Sequence, residues 1–491
     1  MQFPNGESHR IFLADPITVQ DLGAHKALFH FTAGHKFCMK CLNSYARDSG
    51  LVDEDSGDGI IQCDLDRHAQ MDLADDADIF YALDRLRERR PLDQPDEWTR
   101  RQTALGFTFH ACNFLYLAQI RAFMKPVDSF MHDWMHVLLV QGCVNVALFD
   151  IMESFRSVGE TYAVMHAYMQ QFTWPLRSKA AKPDVFSKKR SDNYRKALRP
   201  NARRQVKMQA SEALQIMPVV LLRVMLVILP SGACADACAV FLALMALLEL
   251  LQAIPFGKVT HAALLKAAEK FLAEYKRVYG VVNMSHKFHA CLHLADEMRA
   301  CAGILLSCWV HERKHKLVKE FASFHRMLRK YCAATLAESV CKQLAYLRRP
   351  REFACPVGLI SSVRCPPKLR EYILDMLALR ADTELVYGSV ARHSKFGTSS
   401  RKDIVLVAGV ALNSAVPFAG EVLAHFELEG VPVTLLDLWH AKEFRGASGY
   451  AVWNRIRNLQ FVETEFILEP LIYKLSASGH EVMTFITSRF R

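Results

Sequence analysis

Two pairs of residues with metal-ligand chemistry lie far apart in the chain. Cys38 and Cys41 form a CxxC in "AGHKFCMKC", and His289 and His293 lie four residues apart in "KFHACLHLADEM". On a helix, side chains four residues apart project from one face, so both imidazoles can reach one ion. A CxxC alone also fits a redox pair, and a His pair at this spacing is often incidental. Together the two pairs supply the four ligands of a closed structural zinc site.

Two acids have the surroundings of catalytic metal ligands. Asp21 follows the strand-like "PITVQ", and Glu312 lies in "WVHERKHK", where Arg313 and Lys316 are among its basic neighbours. Phosphodiester chemistry uses carboxylates from different elements to hold two Mg²⁺ or Mn²⁺ ions, and nearby bases offset the phosphate charge. The alternative is that Glu312 is an exposed helical residue paired with Lys316 at i,i+4.

A third cluster is "MHDWMH", in which Asp133 and His136 are three residues apart before an apolar segment. Besides a functional role, Asp133 is a candidate helix cap and His136 a candidate buried, hydrogen-bonded histidine.

The segment from Arg177 to Lys207 holds twelve Lys/Arg and two Asp, a local excess equal to the net charge of +10 of the whole chain. It predicts either a solvated loop or a phosphate-contacting surface, and the interleaved Trp174, Phe186 and Tyr194 favour nucleic acid. The candidate DNA contacts are Lys188, Lys189, Arg190, Arg203 and Arg204.

The elements that must position these residues follow from periodicity. The first fifty residues predict strand and loop of an α/β core, and residues 51–100 an acidic insertion with one short helix near 80–87. Apolar and helical patterns dominate 104–272, and a long helical stretch covers 287–347. Short β-rich runs beyond residue 385 predict a small antiparallel barrel or sandwich.

Two features of the sequence bear on cellular context. The N-terminus lacks the charged-then-apolar pattern of a signal peptide, so a secreted, disulfide-stapled protein is not expected and the cysteines should be mostly reduced. The apolar stretches 219–229 and 237–248 are interrupted or bounded by proline and charged residues. They therefore predict buried helices of a soluble protein rather than membrane spans.

Four motifs in order resemble one family. "ITVQDLGAHKALFHFTAGHKFCMKCLN", "GFTFHACNFLYLAQIRAFMKPVDSFMHDWMH", "HKFHACLHLADEM" and "WVHERKHKLVK" resemble the DDE transposases of CACTA (En/Spm-like) DNA transposons, over about residues 10–345. The resemblance implies an RNase H-like α/β core with a large all-helical insertion, as in the related Transib transposases and V(D)J recombinase. It also implies a structural zinc ion, catalytic magnesium or manganese ions, and DNA as the binding partner.

The family's functional residues carry over by motif. Asp21 resembles the second catalytic acid, with Asp15 as its competitor, and Glu312 resembles the third. Cys38, Cys41, His289 and His293 resemble the zinc ligands between those acids. Asp133 and His136 match the family's D-x-M-H signature.

The first acid of the family would lie upstream of Asp21, so the core is expected to be incomplete at its N-terminus and the copy truncated or inactive. The alternatives are a non-catalytic, zinc-stabilised protein that binds DNA or associates with chromatin, and an unrelated helical zinc-stabilised interaction protein. A nuclear location, a possible homo-oligomer and no membrane association are expected. The expected division is a first core part at 1–150, the helical insertion at 151–285, final core helices at 286–350, a linker at 351–385 and an SH3-like β barrel at 386–491.

Overall fold

The computed structural model describes part of the chain and divides it into two compact units. The described residues are 18–20, 28–30, 39–42, 65–175, 184–196, 204–308, 337, 341, 357–394, 397–445 and 449–486. The first unit comprises 1–161, 189–214 and 231–312, and the second comprises 162–188, 215–230 and 313–491. These boundaries differ from the expected ones, since the segment 151–285 is shared between the units.

The described helices and strands make this a mixed α/β protein. The helices are α1 (Asp76–Arg89), α2 (Pro95–Leu105), α3 (Ala118–Arg121), α4 (Pro126–Ser129), α5 (Trp134–Leu138), α6 (Cys143–Arg156), α7 (Tyr162–Met169), α8 (Lys188–Lys196), α9 (Ala210–Arg223), α10 (Ala235–Ala253), α11 (His261–Tyr279), α12 (His286–Ala300) and α13 (Pro367–Met376). The strands are β1 (Thr18–Gln20), β2 (Phe130–His132), β3 (Gly358–Leu359), β4 (Val363–Arg364), β5 (Leu385–Gly388), β6 (Val390–Arg392), β7 (Thr398–Ser400), β8 (Ile404–Val407), β9 (Phe418–Leu428), β10 (Val431–Arg445), β11 (Tyr450–Asn454), β12 (Leu459–Glu463), β13 (Ile467–Pro470), β14 (Tyr473–Leu475) and β15 (Glu481–Phe485).

A short parallel strand pair anchors the first unit. β1 pairs with β2 in the register Thr18↔Phe130 to Gln20↔His132. Parallel strands need a long crossover, and here it carries α1 to α4. In the sequence, β1 is followed directly by Asp21 and β2 by Asp133, so each strand of the pair precedes an acid.

The acidic insertion 51–100 contains the predicted helix near 80–87, but this helix is longer than predicted and a second helix begins before residue 100. α1 is 14 residues long and begins after Asp75, which caps it by accepting a hydrogen bond from the Asp78 N–H at 3.0 Å. Its residues Ile79, Leu83 and Leu86 repeat at helical spacing and are buried. α2 then begins at Pro95, and proline is well accommodated in the first turn of a helix.

Long apolar helices form the rest of the first unit's core. α10 packs on α11, which packs on α12, where the rings of Tyr275 and Phe288 are 4.8 Å apart. The buried Asp150 carboxylate of α6 accepts a 2.5 Å hydrogen bond from the Tyr275 hydroxyl and is also contacted by Asn283. Burial raises the pKa of Asp150 in spite of these two hydrogen bonds.

Three segments are long and apolar enough to cross a membrane by length and composition. They are Trp134–Arg156, Ala210–Ile228 and Ala235–Phe256, and their most apolar windows are 83%, 56% and 67% buried inside the protein. Burial within the fold accounts for most of the apolar surface in the first of them.

Antiparallel β structure dominates the second unit, as the β-rich runs predicted. One sheet has the order β13-β8-β9-β10-β11-β15-β14, with further strands branching from it, and another has the order β3-β6-β7. The long strands β9 and β10 are joined by Glu429 and Gly430, both with positive φ, which is the two-residue turn that matches strand twist. The SH3-like barrel remains a prediction.

Candidate metal centre

Helix α12 presents the two predicted histidines on one face. Ser285 precedes the helix, and no glycine or proline interrupts it before Ala300. His289 and His293 are therefore one turn apart, and both are fully buried. Their Nε2 atoms lie 3.1 Å from each other.

Cys41 is held beside this face by backbone pairing. It forms an isolated antiparallel bridge with Leu73, flanked by hydrogen bonds from Leu42 N to Asp72 O (2.8 Å) and from Ala74 N to Lys40 O (3.1 Å). The Cys41 side chain is fully buried, and its Sγ lies 3.0 Å from Nε2 of His289 across 248 residues of sequence.

The three ligand atoms have spacings that suit one small cation. Those of Cys41, His289 and His293 all lie within 4.8 Å of one another. Around a tetrahedral zinc ion, N···N and S···N separations are about 3.3 to 3.6 Å, so outward shifts of a few tenths of an ångström would admit it. The thiolate and imidazole donors are the ligands zinc prefers, and the group is compatible with zinc.

The third cysteine of this region faces elsewhere. Cys291 lies between the two histidines in sequence, but its Sγ is 3.4 Å from that of Cys143 on α6. Burial, with the Cys143 thiol beside it, raises the pKa of Cys291 well above the ordinary value, which keeps it a thiol rather than a ligating thiolate.

A buried carboxylate connects α12 to β2 next to the cluster. Glu297 lies one turn after His293 and accepts a hydrogen bond from the backbone N–H of His132 at 3.0 Å. The same carboxylate lies 2.6 Å from Nδ1 of the His132 ring. The His132 ring stacks on the His293 ring with centroids 5.6 Å apart and an interplanar angle of 4°. Glu297 thus fixes the imidazole that packs against a candidate ligand.

Asp133 and His136 form a second cluster, with Cys308. Asp133 is a helix cap as predicted, because its Oδ1 accepts a hydrogen bond from the Met135 N–H at 3.1 Å at the start of α5. His136 is hydrogen-bonded as predicted, through its Nδ1 to Asp133 Oδ2, but it is only half-buried. The Asp133, His136 and Cys308 ligand atoms also lie within 4.8 Å of one another. Sequence reasoning missed Cys308, as it missed His132 and Glu297, although Glu297 has i,i+4 spacing from His293.

The basic segment is only partly available for DNA. Lys188, Lys189 and Arg204 are exposed, whereas Arg190 is half-buried and pairs with Glu212 at 3.1 Å. Two of the three aromatic residues that favoured nucleic acid do not support it, because Phe186 and Tyr194 are buried, whereas Trp174 is half-buried. The Tyr194 hydroxyl donates to the Lys207 carbonyl at 3.0 Å instead.

The remaining predicted site residues lie outside the described residues. They are Asp21, Cys38, Arg203, Glu312 and Arg313. The structure therefore brings together three of the four predicted zinc ligands, and the proposed pairing of Asp21 with Glu312 stays a prediction.

Comparisons of this chain with protein-family models, with curated proteins and with solved structures found no match.

Proposed function

We propose that the chain is a transposon-derived DDE-type transposase of the CACTA kind, which would cleave and join DNA ends by two-metal phosphoryl transfer. What supports this most is the meeting of Cys41 with His289 and His293. The resemblance assigns these residues to one site although Cys41 and His289 are 248 positions apart, and an incidental His pair would have no reason to meet Cys41.

Zinc is the ion that we assign to this centre. Its fourth ligand would be Cys38, three residues before Cys41 in the sequence. A closed four-ligand zinc stabilises a fold and takes no part in the reaction. In this chain it would tie the segment around Cys41 to α12, which precedes Glu312.

Asp21 and Glu312 are the carboxylates that we assign to Mg²⁺ or Mn²⁺. When bound, such ions supply Lewis-acid stabilisation of the phosphate charge during an in-line displacement. The exposed Lys188, Lys189 and Arg204 would bind the DNA backbone. DNA as partner, a nuclear location and assembly into a homo-oligomer belong to the same proposal.

Titration of the chain with Mn²⁺ tests the proposal, because it measures the assigned carboxylates without requiring strand cleavage. Wild-type chain should bind Mn²⁺, and Asp21→Asn and Glu312→Gln should each weaken that binding at least about a hundredfold, the upper end of what loss of an outer-shell partner costs a metal site. Glu320→Gln, which neutralises a neighbouring acid in the sequence, is the matched control and should retain the affinity.

Two results would contradict the assignment of these carboxylates to metal. One is a Mn²⁺ affinity that neither substitution changes. The other is a wild-type chain that binds DNA in a salt-dependent way without binding Mn²⁺, which instead supports the non-catalytic DNA-binding or chromatin-associated protein.

A further inference from the structure

The cluster of Asp133, His136 and Cys308 joins three places in the first unit. Asp133 lies between β2 and α5, His136 is in the first turn of α5, and Cys308 lies beyond the end of α12. One ligand atom from each lies within 4.8 Å of the other two. A carboxylate oxygen, an imidazole nitrogen and a thiol sulfur therefore converge on one point.

The Asp133 carboxylate is held in place by backbone groups. Oδ1 accepts hydrogen bonds from the N–H of Met135 (3.1 Å) and from the N–H of Cys308 (3.0 Å), which is 175 residues away. Oδ2 is directed to His136. Helix capping explains only the bond from Met135, whereas the bond from Cys308 brings a third potential ligand to the same carboxylate.

Burial of this carboxylate favours a cation beside it, in addition to the two backbone hydrogen bonds. The Asp133 side chain is 0% exposed, and within the described part of the chain no lysine or arginine forms an ion pair with it. A buried carboxylate is costly unless a positive charge or a metal ion is nearby. Two cations are chemically available here: a protonated His136, or a metal ion shared by all three side chains.

Cys308, the third residue of the cluster, decides between a protonated His136 and a shared metal ion. An Asp–His ion pair is complete without a thiol, but Cys308 is 5% exposed and lies within ligand distance of both partners. Mixed oxygen, nitrogen and sulfur donors suit zinc, whereas magnesium and calcium take oxygen ligands. We propose that Asp133, His136 and Cys308 bind a second zinc ion, distinct from the one at Cys41.

Among the residues that the structure describes, the second site has three ligands. His136 is the most exposed of the three, with 18% of the side chain accessible. Zinc sites with three protein ligands keep the fourth position for water or for an anionic group. The two sites are neighbours in the fold, because His132 stacks on His293 and the residue that follows His132, Asp133, belongs to the second cluster.

Metal content of the purified full chain tests the proposal, after dialysis against a weak chelator. Wild type should retain two zinc ions per chain. His136→Gln and Cys308→Ser should each retain one, and Cys308→Ser keeps the backbone N–H that binds Asp133. His293→Ala should also lose one, and its combination with Cys308→Ser should lose both. Exposed His261→Gln and Cys112→Ser are the matched controls and should retain two.

Cobalt substitution shows which site has been lost and detects misfolding. In Cys308→Ser the thiolate-to-cobalt absorption of the second site should disappear while that of the Cys41 site persists. One zinc ion in wild type, or two in both the His136 and Cys308 variants, would overturn the proposal. Loss of both cobalt signals in Cys308→Ser would overturn it too, because the cysteine would then be supporting the first site and not binding its own ion.

Discussion

At the level of single residues, the Glu297 carboxylate lies at the junction between α12 and β2. Its two oxygens accept from the backbone N–H of His132 at 3.0 and 3.1 Å, and the same carboxylate contacts the ring Nδ1. Glu297 is itself 1% exposed. The Glu297 side chain therefore accepts the backbone hydrogen bond at the end of β2 and orients the His132 imidazole, in a region with little access to water.

Glu297→Gln should weaken the metal centre without removing a ligand. The amide keeps one acceptor oxygen but loses the charge, so we expect a loss of about 1.5 to 3 kcal/mol of stability. The His132 ring that packs on His293 would lose its orientation, and zinc affinity should fall about tenfold or more, as for other outer-shell substitutions. Competition with a fluorescent chelator measures the affinity.

Glu274→Gln on α11 is the matched control, because its carboxylate pairs with Arg277 at the surface. Equal zinc affinity in wild type and Glu297→Gln would contradict the supporting role of Glu297.

The sequence predicts ligand residues better than it predicts their supports. The spacing of His289 and His293 follows from helix geometry, so the sequence alone is enough to select both. Glu297 meets His132 across 165 residues, and Cys308 meets Asp133 across 175. Both contacts depend on where β2 lies against α12, which no local pattern encodes.

At the level of elements, the β-rich runs of the sequence predict the strands of the second unit but do not predict the polar groups buried between them. β9, β10 and the turn after β12 meet at a polar network in which His425 Nδ1 lies 2.9 Å from Thr434 Oγ1, itself 3.0 Å from Thr464 Oγ1. All three side chains are fully buried. The β-rich runs predicted the strands, but they did not predict a buried histidine among them.

The second unit should lose stability in acid through His425. Burial lowers the pKa of His425 to about 4, and the His393 imidazole adds to the effect. Between about pH 6.5 and about pH 4 the unfolded chain binds a proton that the folded chain does not, so the free energy of unfolding falls as the pH falls through this window. The shift corresponds to roughly 3 kcal/mol, at 1.36 kcal/mol per pKa unit.

Calorimetric unfolding at about pH 7 and about pH 4.5 measures this loss, since the second condition lies near the bottom of the window. His425→Gln should be less stable than wild type at neutral pH but should show a smaller loss on acidification. His440→Gln, an exposed histidine on β10, should behave as wild type does. An unchanged acid loss in His425→Gln would exclude this residue as its origin.

At the level of the whole molecule, positive charge is the property that most constrains a partner. The net charge is +10, and the basic segment contributes an excess of that size by itself. Because Phe186 and Tyr194 are buried, base stacking by them is not available to the basic segment. Binding through this region should therefore depend on phosphate contacts, which makes it sensitive to salt and tolerant of sequence.

Lys188→Ala combined with Lys189→Ala should reduce the salt dependence of DNA binding. If both exposed lysines contact phosphates, the slope of log K against log salt should become shallower by about 1.8, because each contact contributes about 0.9. Lys258→Ala with Lys270→Ala removes the same charge from other exposed positions and should leave the slope near that of wild type. Fluorescence anisotropy of a labelled duplex over a salt series measures both. Equal slopes for the two double variants would show that net charge, and not this segment, governs the interaction.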